Sequence, residues 1–224
     1  MPFFVVLSPP LGYEASFGIW AGRGRPLPSN LLAMYAESGI QYKKAVYRRG
    51  RMIRRCGSGD LEAIWTIINK AAQAYRGVIP DDCWHEPYMP MEELAEEIAA
   101  GVVFWGWERE GRLVGVMGLQ DKGEVALVRH AYVHPAHQRQ GIGSALVAHL
   151  RGLTEKPMLV GTWAAASWAI RFYEKQGFSL VPSREKDRLL RRYWSIPERQ
   201  IETSVVLADA SWWARYRLRR RGNS

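Results

Sequence analysis

The stretch from Val125 to Arg151 constrains the fold more than any other part of this sequence. An apolar run, Val125–Val133, reads as a strand. It gives way to the polar turn His134-Pro135-Ala136-His137-Gln138-Arg139-Gln140, and then to a helix that opens on Gly141-Ile142-Gly143-Ser144. Ile142, Ala145, Leu146 and Leu150 recur at helical spacing, so this helix carries an apolar face as far as Arg151. A strand followed by a helix with one face to bury needs a sheet to pack on, which points to an α/β architecture.

The same junction carries chemistry. The first N–H groups of a helix have no intrahelical partner, and the helix dipole adds positive potential there, so the junction suits an anion. Glycine at 141 and 143 lets a pyrophosphate approach the backbone without a Cβ in the way, and Arg139 can add a charge-assisted contact. Taken alone, Gly-x-Gly is explained equally well by close helix–strand packing. A P-loop needs a lysine after its glycines. A dinucleotide-binding turn needs a third glycine and sits on the first strand of its domain. This segment has neither signature.

The rest of the chain arranges itself around this unit. Met52–Arg55 suits a first strand. Asp60 is placed to cap a helix in which Leu61, Ile64, Trp65, Ile68, Ala72 and Tyr75 recur. Pro90 opens a second helix, Glu92 and Glu93 complement its positive end, and Gly101 closes it. Val102–Glu108 and Leu113–Gln120 flank the tight Glu110-Gly111 turn as a hairpin. Later come a buried strand at Met158–Thr162, a helix at Ser167–Gln176 closed by Gly177, and a strand at Phe178–Val181. A helix at Arg184–Tyr193 and a last strand at Ile201–Ala208 complete the pattern. The order is that of one mixed-sheet α/β domain over residues 52–209.

Charge separates the ends from this unit. The formal net charge is +9. Residues 1–51 hold seven Lys/Arg against two acids, residues 210–224 five Arg and no acid, and residues 52–209 nineteen bases against twenty acids. The first segment is rich in breakers (Gly22-Arg23-Gly24-Arg25-Pro26-Leu27-Pro28) and reads as a poorly ordered basic extension, dispensable for folding, with Met52 as a possible start. Residues 210–224 read as a basic tail. Basic ends attract polyanions, but no aromatic–basic platform accompanies them in the sequence, so a nucleic-acid partner is not expected. Phe3–Leu7 lacks a preceding basic segment and soon meets Pro9-Pro10, which argues against a signal peptide. No apolar run reaches the roughly 20 residues of a membrane span. Cys56 and Cys83 belong to no ligand-spaced cluster, which fits a reducing cytoplasm, and His134 and His137 lack a third ligand for a metal.

Gln138-x-x-Gly141-x-Gly143 resembles the pyrophosphate-binding motif of the GNAT superfamily of N-acetyltransferases. Ala169-Ile170-Arg171-Phe172-Tyr173-Glu174-Lys175-Gln176-Gly177-Phe178 is similar to that family's later helix and following strand. The resemblance spans about Met52 to Asp209. It implies a mixed, mostly antiparallel sheet splayed between its fourth and fifth strands and flanked by helices, with acetyl-CoA in the gap as co-substrate. Main-chain groups of Ala131, Tyr132 and Val133 would hold the thioester. The N–H groups of Arg139, Gln140, Gly141, Ile142, Gly143 and Ser144, beside Gln138, would hold the pyrophosphate.

The resemblance also makes Tyr173 the general acid toward the CoA sulfur; the alternative is a core tyrosine with its hydroxyl satisfied. The family's strand-borne base falls on Leu127. His130, facing away by strand alternation unless a bulge turns it, is a structural histidine or a base, and a water chain ending on Glu124 is a further route. Arg129 either meets a substrate carboxylate or pairs with an internal acid such as Glu124. Ala166 stands where relatives carry Asn, so Ser167, Thr162 or water would have to make that cofactor contact. The acceptor, a small-molecule or protein amine, is expected at Val78–Tyr88, with Asp81, Asp82, Trp84, His85, Glu86 and Tyr88 receiving it and Arg191, Arg192, Tyr193 and Trp194 closing over it. A CoA-binding module without turnover is the alternative function, and a homodimer is left open.

Overall fold

The computed structural model describes residues 51–221; the expectations for residues 1–50 lie outside the described residues. Strands β1 (Arg51–Arg55), β2 (Val102–Arg109), β3 (Arg112–Asp121), β4 (Ala126–Val133), β5 (Met158–Trp163), β6 (Ser179–Leu180) and β7 (Ser204–Ala208) form one sheet in the order β1-β2-β3-β4-β5-β7-β6. Neighbours run antiparallel except β4 and β5, which are parallel. Glu110 and Gly111, both at positive φ, make the two-residue hairpin between β2 and β3, whose twist suits such a turn.

Helices α1 (Leu61–Ala72), α2 (Met91–Ala99), α3 (Ile142–Arg151), α4 (Ser167–Lys175), α5 (Ser183–Tyr193), α6 (Glu198–Glu202) and α7 (Ala210–Arg221) flank the sheet. All eight residues of β4 are buried, because helices cover both of its faces. On one face Tyr132 joins Ile64, Ile68 and Leu94 of α1 and α2, and Leu127 joins Leu189 and Leu190 of α5. On the other, Ala131 and Val133 meet Ile142, Leu146 and Leu150 of α3, and Tyr173 of α4.

Three local expectations change. Asp60 does not cap α1: its carboxylate receives Arg54 at 2.7 and 2.8 Å and the Gly57 N–H at 2.8 Å, and the hydrogen bond from Arg54 lowers its pKa to about 2. Residues expected to open the last strand form α6 instead, since Pro197 starts a helical turn and the Ile201 carbonyl accepts Lys186 Nζ at 2.6 Å. Where a basic tail is expected, residues Ala210–Arg221 form α7, and Trp212 is buried against Val125 and Tyr193. A helical spacing of Trp212, Trp213 and Tyr216 was the legible signal for this packing. No helix among the described residues is long and apolar enough to cross a membrane.

Candidate active site

The turn after β4 builds a row of main-chain donors. Gln138 Nε2 donates to the Val133 carbonyl at 3.0 Å and fixes where the turn leaves the strand. Arg139 and Gly141 then take positive φ, +58° and +80°. Alanine at 145 donates to the Gly141 carbonyl at 3.0 Å, so the N–H groups of Ile142, Gly143 and Ser144 lie ahead of the helical ladder. A Cβ added to Gly141 would meet nothing within 4 Å. Arg139 is exposed beside them. Ser144 Oγ accepts Gln176 Nε2 at 3.1 Å, and Gln140 accepts Arg109 at 3.0 Å, which ties the row to α4 and to β2.

This row stands at the mouth of a gap in the sheet. Strand β4 is registered to β5 only at Ala126↔Met158, Leu127↔Leu159 and Val128↔Val160. Past Val128 the two strands diverge, and β5 stays paired to β7 through Trp163. Ala131, Tyr132 and Val133 lie on β4 beyond the last residue registered to β5, and all three are buried. Tyr173 is fully buried, edge-on to Phe172 and Phe178 with ring centroids 5.0 and 5.5 Å away. Its hydroxyl has no hydrogen-bond partner among the described residues. Burial pushes its pKa well above 10, so it is a protonated phenol at neutral pH. A buried hydroxyl left without a partner calls for an explanation.

Of the expected acceptor residues, Trp84, His85 and Tyr88 come together. Trp84 and Tyr88 stack at 5.5 Å, His85 lies 6.2 Å from Tyr88, and the Tyr88 hydroxyl accepts Trp163 Nε1 at 2.9 Å. Tyr75 and Trp168 extend this aromatic wall, with Tyr75 at 5.5 Å from Tyr88 and 6.1 Å from Trp168. Sequence reasoning took Tyr75 only as the end of an apolar stripe and did not place Trp163 or Trp168 in the site. An excess of aromatics at strand and helix ends was the available signal. Arg191, Arg192, Tyr193 and Trp194 do not reach this wall: Arg191 pairs with Glu198, Arg192 and Tyr193 meet Glu124, and Trp194 is buried against α5 and α7 neighbours. Arg199 instead meets Asp82, at 2.9 Å.

Residues 100–180 match the acetyltransferase (GNAT) domain family. The chain is 24% identical over 143 residues to the peptidyl-lysine N-acetyltransferase YiaC of Escherichia coli K12, across 64% of this chain and 93% of that protein. Its fold is similar to the PaiA N-acetyltransferase of Thermoplasma acidophilum, solved in complex with coenzyme A: 18% identity, 72% of this chain, 99% of that one, TM-score 0.55. It is also similar to a GNAT-family acetyltransferase of Staphylococcus aureus: 16% identity, 71% of this chain, 98% of that one, TM-score 0.54. Residues 100–180 carry a GNAT acetyltransferase domain.

The charged candidates are engaged by other side chains of the domain. Glu124 precedes β4 at its closed end, where it accepts Tyr193 Oη and Arg192, both at 3.1 Å. Arg129 does not pair with Glu124. The internal acid is Glu97 of α2, which also lies 3.5 Å from His130 Nε2. A bulge does turn His130: Gly118 and Val116 of β3 face Arg129 and Tyr132, so three steps of β4 span two of β3, and His130 sits at φ +45°. Its ring stacks on Phe104 at 5.8 Å, and burial lowers its pKa, leaving a neutral imidazole at neutral pH. Ala166 at the start of α4 brings no side-chain hydrogen bond to that helix, and Ser167 is exposed at its first position. Among the described residues no group of three His, Cys, Asp or Glu is placed to hold a metal ion.

Glu93, one turn before Glu97, has its pKa raised to about 7 by burial and by repulsion from Glu97 and Glu96. A folded pKa above the unfolded value means that ionisation costs stability as pH rises from about 4.5 through about 7. Glu93→Gln should therefore raise the Tm at pH 8 and leave it nearly unchanged at pH 5. Equal shifts at both pH values in a thermal melt would contradict the raised pKa.

Proposed function

We propose that this chain transfers the acetyl group of acetyl-CoA directly to a primary amine of a small molecule or a protein. The observation that supports this reading is the buried Tyr173 hydroxyl without a partner among the described residues, in a domain whose β4–β5 register ends at Val128 and whose α3 opens on Gly141. Arg139 to Ser144 hold the pyrophosphate through main-chain N–H groups and the helix dipole, with Gln138 fixing the turn. Acetyl-CoA supplies an activated acetyl group. Main-chain groups of Ala131, Tyr132 and Val133 orient its carbonyl, and a donor aimed where negative charge develops is a large source of rate. As the new C–N bond forms and the C–S bond breaks, Tyr173 gives its phenolic proton to the departing sulfur, and the proton that the amine nitrogen loses restores the phenol by way of solvent.

On the far side, Trp84, His85 and Tyr88 with Tyr75 and Trp163 receive the amine and keep water from the gap. Glu124 and His130 are engaged elsewhere, so the acceptor enters as its free base. A protein amine is favoured by the similarity to a peptidyl-lysine N-acetyltransferase over 93% of that protein's length. Two features favour a CoA-binding module without turnover: Leu127 stands on β4 where an acid or histidine base would, and Ala166 offers no side-chain contact to a cofactor. Calorimetric titration with acetyl-CoA, followed by thiol release over lysine peptides and small amines, tests both. Binding with turnover supports the transferase; binding with no turnover on any amine supports the module. Absence of binding would remove both.

A further inference from the structure

The bulge in β4 needs a cause. His130 adopts φ +45°, a conformation that a residue with a Cβ keeps only when its surroundings over-determine it. Because of the extra residue, the side chains of Arg129 and His130 point to one face rather than alternating, and Glu97 takes both. Arg129 also donates to Gln120 Oε1 at 2.5 Å, and Gln120 Nε2 donates to the Ala100 carbonyl at 2.9 Å, just past the end of α2. These four side chains are all at least nine-tenths buried. On the neighbouring strand, a Cβ at Gly118 would lie 2.7 Å from Val102 Cγ1, 3.0 Å from the Arg129 carbonyl and 3.3 Å from Arg129 Cβ. Strand β3 therefore closes on the bulge at a point where only glycine fits.

The bulge lies where β4 leaves β5, directly before Ala131 and Tyr132. We propose that Glu97 is a positioning residue for acetyl transfer: through Arg129 and His130 it holds the β4 bulge, and so sets how Ala131 and Tyr132 present their main chain to the gap. This rests on the acetyl-transfer reading above. A shift of main-chain donors by a fraction of an ångström slows the transfer without touching the pyrophosphate site at the helix start.

Two variants of the full chain test it. Glu97→Gln keeps an acceptor for Arg129 but loses the charge. The double variant Glu97→Leu/Arg129→Met removes the buried pair together, so no charge is left unpaired. In both, kcat should fall about 10-fold while KM for acetyl-CoA and Kd for CoA stay within about twofold. Amide resonances of His130–Tyr132 should move in ¹H–¹⁵N spectra while those of Gly141–Ser144 stay in place. A folded variant with kcat near wild type and unmoved Ala131 and Tyr132 resonances would overturn the proposal, as would a fall in Tm with kcat unchanged well below it. The spectra read the bulge without turnover. A wild-type chain that releases no CoA thiol with any amine therefore overturns the acetyl-transfer reading and the catalytic role of Glu97, while the resonances still decide whether Glu97 holds the bulge.

Discussion

Gly141→Asp should lose acetyl-CoA binding, with affinity reduced at least about 100-fold, while the protein stays folded. Three effects act together. The new carboxylate adds negative charge at the start of α3, where no atom lies within 4 Å of its Cβ, and repels a pyrophosphate held there. Its Cβ occupies the approach itself. At φ +80° any L-residue carries backbone strain of about 1–2 kcal/mol. That strain should lower the Tm by only a few degrees in a domain of this size, roughly 2–4 °C per kcal/mol. Gly141→Ala carries the strain and the Cβ without the charge, so it should fall between the wild type and the Asp variant. Calorimetry showing unaltered acetyl-CoA affinity in folded Gly141→Asp would remove this segment from the site.

Tyr173→Phe should lower kcat about 100-fold, within the range expected for loss of a general acid, with acetyl-CoA affinity nearly intact. The ring keeps its contacts with Phe172 and Phe178, and the lost hydroxyl has no partner among the described residues. Removing an unpartnered buried hydroxyl should not destabilise the fold; Tm should hold or rise slightly. A structural tyrosine predicts the opposite pattern, with kcat retained in an assay where the chemical step limits the rate.

The sheet and the turn that opens α3 were legible because local chemistry dictates them. Gly-x-Gly at a strand–helix junction needs a backbone that can take positive φ, and Gly141 takes it. Glu110-Gly111 can make little but a two-residue hairpin, and Gly177, at φ +80°, closes α4 as expected. The splay was not legible from periodicity; it came from the resemblance, and it shows in a β4–β5 register that ends at Val128.

What escaped the sequence depends on contacts between distant elements. Nothing near Arg129 marks Glu97, thirty-two positions earlier, as its partner in preference to Glu124. Strand alternation puts His130 on the wrong face because one extra residue in β4 reverses it, and a bulge leaves no periodic trace. The acceptor side divided in the same way. Trp84, His85 and Tyr88 share one short segment and were found together. Tyr75, Trp163 and Trp168 join them only through the packing of α1, β5 and α4. Arg191 to Trp194 do not join them: they meet Glu198, Glu124 and the neighbours of α5 and α7, since the direction in which α5 leaves β6 is set by tertiary packing.

The central claim, that the gap between β4 and β5 serves acetyl transfer, is tested most directly by following free CoA thiol when the full chain meets acetyl-CoA and a lysine peptide. Thiol release should depend on the amine, saturate with acetyl-CoA, be matched by acetylated peptide, and be lost in Gly141→Asp. Tight acetyl-CoA binding with no thiol released over lysine peptides and small amines alike would contradict it.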